Sequence, residues 1–566
     1  MCQEILDSIP ILFTTDVLLT AMPLSSLATR IFIVFMIGLG LVLTPSRSQA
    51  QIGNAQKITD GVGAFSGTLH DGDRFGTSVT SIGDLDGNGV PDLAIGAERD
   101  EEDVCCSGAV WIVLLKSDGS VKAQQKITDG AGGFGGALQD DEFFGRAVAG
   151  VGDLDGDSVP DLAVGTSRDD DGGRWYNSPD YGAVWILFLN ADGTVSTEQK
   201  ISLEAGGFMG SLSKNDYFGG GVTALGDLDG NGVTDLAVGA PEDDDGGGDF
   251  AQRGAVWILF LNNDGTVKDE QKISDTAGGF GGTLVDDTRF GTSVSAVGDL
   301  DGNGALDLAV GTDSTVGADN PQGSLWVLFL NTDGTVKAQQ KISAQTGGFS
   351  GSLGDQDNFG YSVAGLGDLD GDGVGDLATG APYDPGDGVG GGAAWILYLN
   401  ADGTVAGETK ISDTEGGFSG TIRAGDRFGS ALTRIADLDA NALPRSGGVD
   451  ADGMADLAVG APFDEGSGAG ATWVLFGEAS LLPVELAGFD ARLSGDDAVA
   501  LRWKTASETN NAGFEIQRRV VRKTNESDNP LSGQSDRWDG SGADENWQVV
   551  GKMGGAGTTT QPQTYR

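Results

Sequence analysis

The sequence predicts an all-β protein: a β-propeller of six four-stranded blades, or seven if one blade is degenerate, closed by an N-terminal strand and followed by a partial C-terminal β-sandwich. Three observations lead there. One module recurs six times, most plainly where Asp-Leu-Asp begins at Asp84, Asp153, Asp227, Asp299, Asp368 and Asp437, a period of about seventy residues that marks a repeat array. Within each module the apolar runs are β-branched or aromatic, bounded by Gly, Asp or Asn, and too short for helices. The ends of the array also complement each other, because Gln56-Lys57-Ile58 stands unpartnered ahead of the first module while the sixth lacks that segment.

From the N-terminus, Arg30 precedes an apolar run over 31–42 and then Ser48-Gln49-Ala50, which predicts a signal peptide over 1–50, with Met22 as an alternative start. The protein is therefore expected to be secreted or held at the cell surface. The array follows over 51–477. Each module reads as a Gln-Lys-Ile segment, a Gly-rich stretch, Phe-Gly, an Asp loop, Asp-Leu-Ala-Val-Gly, an acidic loop, and Ala-Val-Trp-Ile-Leu-Phe-Leu, giving four short strands. Trp111, Trp185, Trp257, Trp326, Trp395 and Trp473 share one position and read as blade packing. Asp118-Gly119, Asp192-Gly193, Asp264-Gly265, Asp333-Gly334 and Asp402-Gly403 supply the two-residue turn of a tight hairpin. The sixth module lacks both that turn and the strand after it, so the N-terminal strand is expected to complete the last blade and leave no open edge. Beyond the array, residues 478–566 open with Leu482-Pro483-Val484, show alternating strands near 498–503 and 514–518, and carry a polar insertion near 523–546 that is expected to be disordered.

The chain has 34 Lys plus Arg against 84 Asp plus Glu, a formal charge of −50 that repels nucleic acid and anionic membranes. It holds 96 glycines yet stays 39% hydrophobic, which fits a turn-rich folded protein rather than an acidic tail. Three cysteines, Cys2, Cys105 and Cys106, cannot make a disulfide framework. The single histidine, His70, does not recur between modules, so histidine-based acid/base chemistry has little to work with. Carboxylate-pair glycosidase chemistry needs only two acids and stays open.

In each module oxygen-bearing residues fall at relative positions 1, 3, 5 and 9, and the carbonyl at position 7 can add another. The sets are Asp84, Asp86, Asn88, Val90 and Asp92; Asp153, Asp155, Asp157, Val159 and Asp161; Asp227, Asp229, Asn231, Val233 and Asp235; Asp299, Asp301, Asn303, Ala305 and Asp307; and Asp368, Asp370, Asp372, Val374 and Asp376. Calcium wants about six to eight oxygens at roughly 2.3–2.6 Å, and alternate side chains on a tight loop can supply them. An EF-hand is excluded, because position 12, as at Ile95 and Val164, is apolar and leads into a strand. Asp and Gly also favour turns without a metal, but clustering carboxylates without a cation costs mutual repulsion. In the sixth loop Asp437 and Asp439 are split by an insertion from Asp450, Asp452 and Asp456, so about five to six calcium ions are expected.

Phe75-Gly76, Phe144-Gly145, Phe218-Gly219, Phe290-Gly291, Phe359-Gly360 and Phe428-Gly429 precede the loops, and Gly-Ala-Pro follows at Gly239, Gly380 and Gly460. Over 51–477 this resembles the FG-GAP repeat of integrin-α propellers. The resemblance implies calcium in loops on one face and partners on the opposite face. There the acidic loops vary most, over 168–181, 242–253 and 313–322, and Trp175, Tyr176, Tyr181, Phe250 and Tyr383 are the candidate ligand-binding aromatics. The C-terminal region resembles fibronectin-type-III-like modules of bacterial exported surface proteins, expected to be incomplete at Arg566. The function expected is adhesion to, or recognition of, an extracellular protein or polysaccharide. A secreted carbohydrate-active enzyme and a rigid structural spacer are the alternatives.

Overall fold

The computed structural model describes residues 51–100, 106–171, 179–245, 247–248, 251–313, 322–385, 390–438, 455–466 and 468–478, together with the backbone of six strands between 484 and 565. The N-terminal leader, Cys105 and the 523–546 insertion lie outside the described residues. Contacts divide the chain into a unit spanning Gln49–Ala479 and another that includes Ser480–Arg566.

The larger unit is a ring of six four-stranded antiparallel sheets. The innermost strands are Phe75–Gly83, Phe144–Gly152, Gly221–Gly226, Phe290–Gly298, Val363–Gly367 and Ala431–Ile435. The second strands are Asp92–Ala97, Asp161–Thr166, Asp235–Ala240, Asp307–Thr312, Asp376–Ala381 and Asp456–Ala461. Third come Ala109–Leu115, Ala183–Leu189, Ala255–Leu261, Ser324–Leu330, Ala393–Leu399 and Ala471–Glu478. Blades 1 to 5 end in Val121–Ile127, Val195–Ile201, Val267–Ile273, Val336–Ile342 and Val405–Ile411, whereas the outer strand of blade 6 is Gln51–Ile58 from the start of the array. Its register puts Lys57 opposite Trp473, as Lys126 lies opposite Trp111 in blade 1. The ring is thus closed by the N-terminal strand, and the described residues form six blades rather than seven.

The core lies between blades. One apolar cluster joins Val110 and Ile112 of blade 1 to Trp185 and Leu187 of blade 2, and another joins Val474 and Phe476 of blade 6 to Trp111 of blade 1. Third strands are covered on both faces, which is why Ala183–Leu189 is buried along its whole length and reads as an unbroken apolar run. Outer strands bury only their ends, as in Val121–Ile127. In every blade a phenylalanine bridges two aromatics: Phe65 sits 5.2 Å from Phe75 and 5.1 Å edge-on from Trp111, and Phe418 repeats the arrangement with Phe428 and Trp473.

Neighbouring blades are stitched by parallel bridges from Gly108 to Phe144, Gly182 to Phe218, Gly254 to Phe290, Gly323 to Phe359 and Gly392 to Phe428, and Gly470 to Phe75 closes the circle. The same junction explains both glycines of the repeat. Gly145 adopts φ +86°, and its carbonyl lies where a Cβ on Gly96 of the preceding blade would stand. Gly219 meets Gly165, and Gly76 meets Gly460, in the same way. The backbones approach so closely that any side chain would push two blades apart.

In the second unit, Val484–Leu493, Val499–Asn511, Gly557–Thr559 and Gln563–Tyr565 form one antiparallel sheet, and Phe514–Arg518 pairs with Gln548–Met553.

Candidate metal loops and the opposite face

Each Asp loop joins an innermost strand to the second strand, and it lies beside the hairpin that joins the third strand to the outer one. In five blades the carboxylates at positions 1, 3 and 9 converge: ligand oxygens of Asp84, Asp86 and Asp92 lie within 4.8 Å of one another, as do those of Asp153, Asp155 and Asp161; Asp227, Asp229 and Asp235; Asp299, Asp301 and Asp307; and Asp368, Asp370 and Asp376. The loop folds around its own acids. Asp84 accepts the N–H groups of Asn88 at 2.9 Å and Gly89 at 2.7 Å, and Asn88 Oδ1 accepts Val90 N–H at 2.7 Å. Position 9 is also a staple: Asp92, fully buried, accepts Leu85 N–H at 2.9 Å and Leu115 N–H at 2.8 Å, tying loop to third strand. Each of its oxygens keeps a second lone pair.

Burial pushes Asp92 up to about 6 against those two hydrogen bonds, and the charges of Asp86 and Asp84 add to the rise. Burial does the same to Asp161, Asp307 and Asp376. Hard oxygen donors crowded until they resist ionisation are a donor set that a divalent cation relieves, so the residues present fit such an ion.

The five loops are not identical. In blades 1, 3 and 4 position 5 is Asn88, Asn231 or Asn303, whose amide nitrogen donates to the carbonyl of Leu115, Leu261 or Leu330 at 3.2, 3.1 and 2.9 Å. In the same blades Lys122, Lys268 and Lys337 pair with the position-3 acids Asp86, Asp229 and Asp301 at 2.6, 2.6 and 2.7 Å. Blades 2 and 5 have Asp157 and Asp372 at position 5, and Ser196 and Ala406 at the lysine position. The sixth loop keeps the staple alone among the described residues, with Asp456 accepting Leu438 N–H at 2.8 Å and Gly477 N–H at 3.0 Å. Asp437 is described, while Asp439, Asp450 and Asp452 lie outside the described residues.

The opposite face carries two features that the sequence reading missed. The residue immediately before Phe-Gly takes a left-handed backbone in all six blades: Arg74, Phe143, Tyr217, Arg289, Asn358 and Arg427 have φ between +52° and +60°. That conformation is costly for bulky residues. Four of these residues help to line or adjoin a cavity of about 230 Å³ together with Arg99, Arg146 and Arg168. Arg74 and Arg146 share Glu98 at 2.6 and 3.2 Å, Arg289 pairs with Glu242 at 3.1 Å, and Arg99 and Arg168 stack on one ring, Phe143, at 5.2 and 4.5 Å. Guanidinium groups gather here on a strongly acidic chain.

The second feature is a buried pair of acids in five blades. Asp73 and Asp100 are 0% and 2% exposed; Arg99 N–H donates to the Asp73 carbonyl at 3.3 Å, which sets the two acids side by side, and Lys126 reaches Asp100 at 2.8 Å. The pattern repeats as Glu142, Asp169 and Lys200; Asp216, Asp243 and Lys272; Asp357, Asp384 and Lys410; and Asp426, Asp464 and Lys57. Burial first, and the facing acid with it, pushes Asp73, Asp357 and Asp426 up to about 6 and Glu142 and Asp216 up to about 7. One ammonium balances one carboxylate, and the other keeps its proton to a higher pH than an ordinary carboxyl, to about 6 in three blades and about 7 in two. In blade 4 the sequence has threonine at both positions, Thr288 and Thr315, so the acids are present or absent together.

Among the candidate ligand-binding aromatics, Tyr383 is 42% exposed with Arg427 over its ring at 4.7 Å, and Tyr181 is half-buried against the core of blades 2 and 3. Trp175, Tyr176 and Phe250 lie outside the described residues. His70 is an exposed loop residue. Among the described residues no helix is long and apolar enough to cross a membrane.

A family model described as FG-GAP repeat matches residues 75–113, 144–187, 218–259 and 359–397, which are blades 1, 2, 3 and 5. Integrin alpha-PS5 of Drosophila melanogaster is 35% identical over 175 residues, 30% of this chain and 15% of the relative. Integrin alpha-5 of Xenopus laevis is 34% identical over 169 residues, 30% of this chain and 14% of the relative. Integrin alpha pat-2 of Caenorhabditis briggsae is 29% identical over 299 residues, 49% and 20% of the two chains. The matched region therefore spans a fifth or less of these relatives.

Proposed function

For this FG-GAP β-propeller we propose the role of a secreted recognition or adhesion module, with calcium in the loops of one face and an extracellular protein or polysaccharide held by the other. The observation that carries this reading is the fivefold recurrence of carboxylate oxygens gathered within 4.8 Å on one face of a closed ring. Asp84, Asp86, Asn88, the Val90 carbonyl and Asp92 would hold the ion in blade 1, and the equivalent residues would do so in blades 2 to 5. Calcium supplies a compact divalent charge that offsets the repulsion among these acids. The chain's own residues do the rest. Position 9 fixes the loop to the third strand, so a charge bound there stiffens the blade, and the stiffened ring presents the loops of the far face with less freedom to lose on binding. On that face the arginines and exposed Tyr383 offer hydrogen-bond donors and stacking surface. The C-terminal unit is read as a fibronectin-type-III-like module.

The test is calorimetric titration of the metal-stripped protein with calcium, followed by binding to glycan and extracellular-protein arrays with and without a chelator. Calcium uptake that raises the melting temperature, with ligand capture lost on chelation, is the expected result. A protein that takes up no calcium refutes the metal half of the reading. Release of reducing sugar from any polysaccharide refutes the non-enzymatic half.

A further inference from the structure

We infer that the arginine-lined cavity on the face opposite the metal loops binds a single carboxylated sugar unit of an otherwise uncharged glycan. The inference rests on the recognition reading and names the chemistry of the ligand. Five of the eleven arginines between residues 51 and 478, Arg74, Arg99, Arg146, Arg168 and Arg289, line this cavity, and no lysine does. The acids in its wall are Glu98, Glu242 and Asp313, so five guanidiniums against three carboxylates leave a formal +2 on a chain of −50. Arg74 and Arg146 share Glu98, and Arg289 serves Glu242 at 3.1 Å and Asp313 at 3.6 Å. Arg99 and Arg168 have no carboxylate at ion-pair distance among the described residues; both stack on Phe143, and Arg99 Nε is buried without a hydrogen-bond partner. A guanidinium covered on its flat face still offers its N–H edge, and that planar fork matches a carboxylate with two parallel hydrogen bonds. The backbone is strained to build this wall: Arg74, Phe143, Tyr217 and Arg289 all line the cavity from left-handed positions, φ +52° to +60°. Strain of that kind in bulky residues collects at ligand sites.

Size and surroundings select the rest of the ligand. A cavity of about 150 Å³ already takes a benzene ring. One of about 230 Å³ takes a six-membered ring with its carboxylate, whereas an aspartyl or glutamyl side chain would leave most of it empty. The three acids of the wall can accept from a ring's hydroxyl groups while the arginines hold its charge. The positive field is also narrow. Arg168 is shared with a second cavity of about 200 Å³ whose wall includes Asp140, Asp141, Glu142, Asp170 and Asp180. Charges strung along a polyanion would meet those acids, whereas one carboxylate flanked by neutral groups would not.

The experiment is calorimetric titration of the full chain, in the presence of calcium, with four probes: methyl β-glucuronide, methyl β-glucoside, polygalacturonate and the pentapeptide Gly-Gly-Asp-Gly-Gly. The glucuronide should bind roughly tenfold more tightly than the glucoside, which has the ring without the charge. Arg99→Gln and Arg168→Gln, which break no ion pair, should each weaken glucuronide binding roughly tenfold while leaving the glucoside and the melting temperature unchanged. Arg168→Lys should recover part of the loss, because it keeps the charge without the fork. Equal binding of glucuronide and glucoside, tighter binding of the peptide than of the glucuronide, or tighter binding of polygalacturonate per sugar unit would overturn the inference. So would an equal loss from Arg434→Gln, an exposed arginine outside the cavity, since the attraction would then be general. If no probe binds while the arrays still capture another ligand, this inference fails and the recognition reading stands; if the arrays capture nothing, both fail.

Discussion

Replacing Asp216 by asparagine should stabilise the propeller at alkaline pH and lose that advantage in acid. Asp216 is 2% exposed, faces Asp243, and is pushed up to about 7 by burial first and then by that neighbour, while Lys272 pairs with Asp243 at 2.8 Å. Its ordinary value is 3.8. The folded-state value is raised, so the contribution of the protonated acid is fully present below about pH 4 and is lost as pH rises through about 7. Above that, the folded protein holds two buried carboxylates against one ammonium. At about 1.4 kcal/mol per pH unit the shift sets a ceiling of ~4 kcal/mol, and relaxation with water entry brings the expected gain to about 1–3 kcal/mol at pH 8. Asparagine suits the site because it keeps the size of the acid without its charge, and its oxygen can still accept the Ser213 N–H, now at 2.7 Å from Asp216 Oδ2. The assay is urea unfolding of parent and variant in saturating calcium at pH 5, 6.5 and 8. Titration of the metal loops is common to both proteins and cancels in the difference. A difference that does not change with pH, or a less stable variant at pH 8, would refute the assignment of a retained proton to this pair.

Two further outcomes follow from the blade junctions. Gly311→Ala places a Cβ against the Gly360 carbonyl and Ser293 Oγ of the closely packed backbones, and should cost about 1–3 kcal/mol by chemical denaturation; an unchanged midpoint would mean that the blades can slide apart without loss. Deleting residues 51–58 removes the outer strand of blade 6 and bares the edge of Ala471–Glu478, so lower melting and concentration-dependent association are expected by light scattering; a monomer as stable as the parent would show that closure of the ring contributes nothing.

What could be read from the chain alone was whatever lies within one loop or repeats in fixed register. Asp84, Asp86, Asn88 and Asp92 sit within nine residues, so spacing and turn chemistry already imply that their oxygens converge, and Trp111 and its five counterparts announce a shared packing position. Ring closure was legible for the same reason, since the unpartnered Gln56-Lys57-Ile58 matches a strand that every other blade possesses. The tertiary structure alone decided what happens where separate strands meet. Gly96 and Gly145 belong to different blades, and nothing in either local sequence tells that one backbone touches the other. Asp73 and Asp100 read as two surface acids until the fold excludes water from both and brings Lys126 to the second, and Lys122 reads as an exposed strand residue until it arrives over Asp86. The physical reason is one of range: turn geometry and side-chain alternation act over a few residues, whereas desolvation, charge pairing and steric contact depend on which distant segments the closed ring presses together.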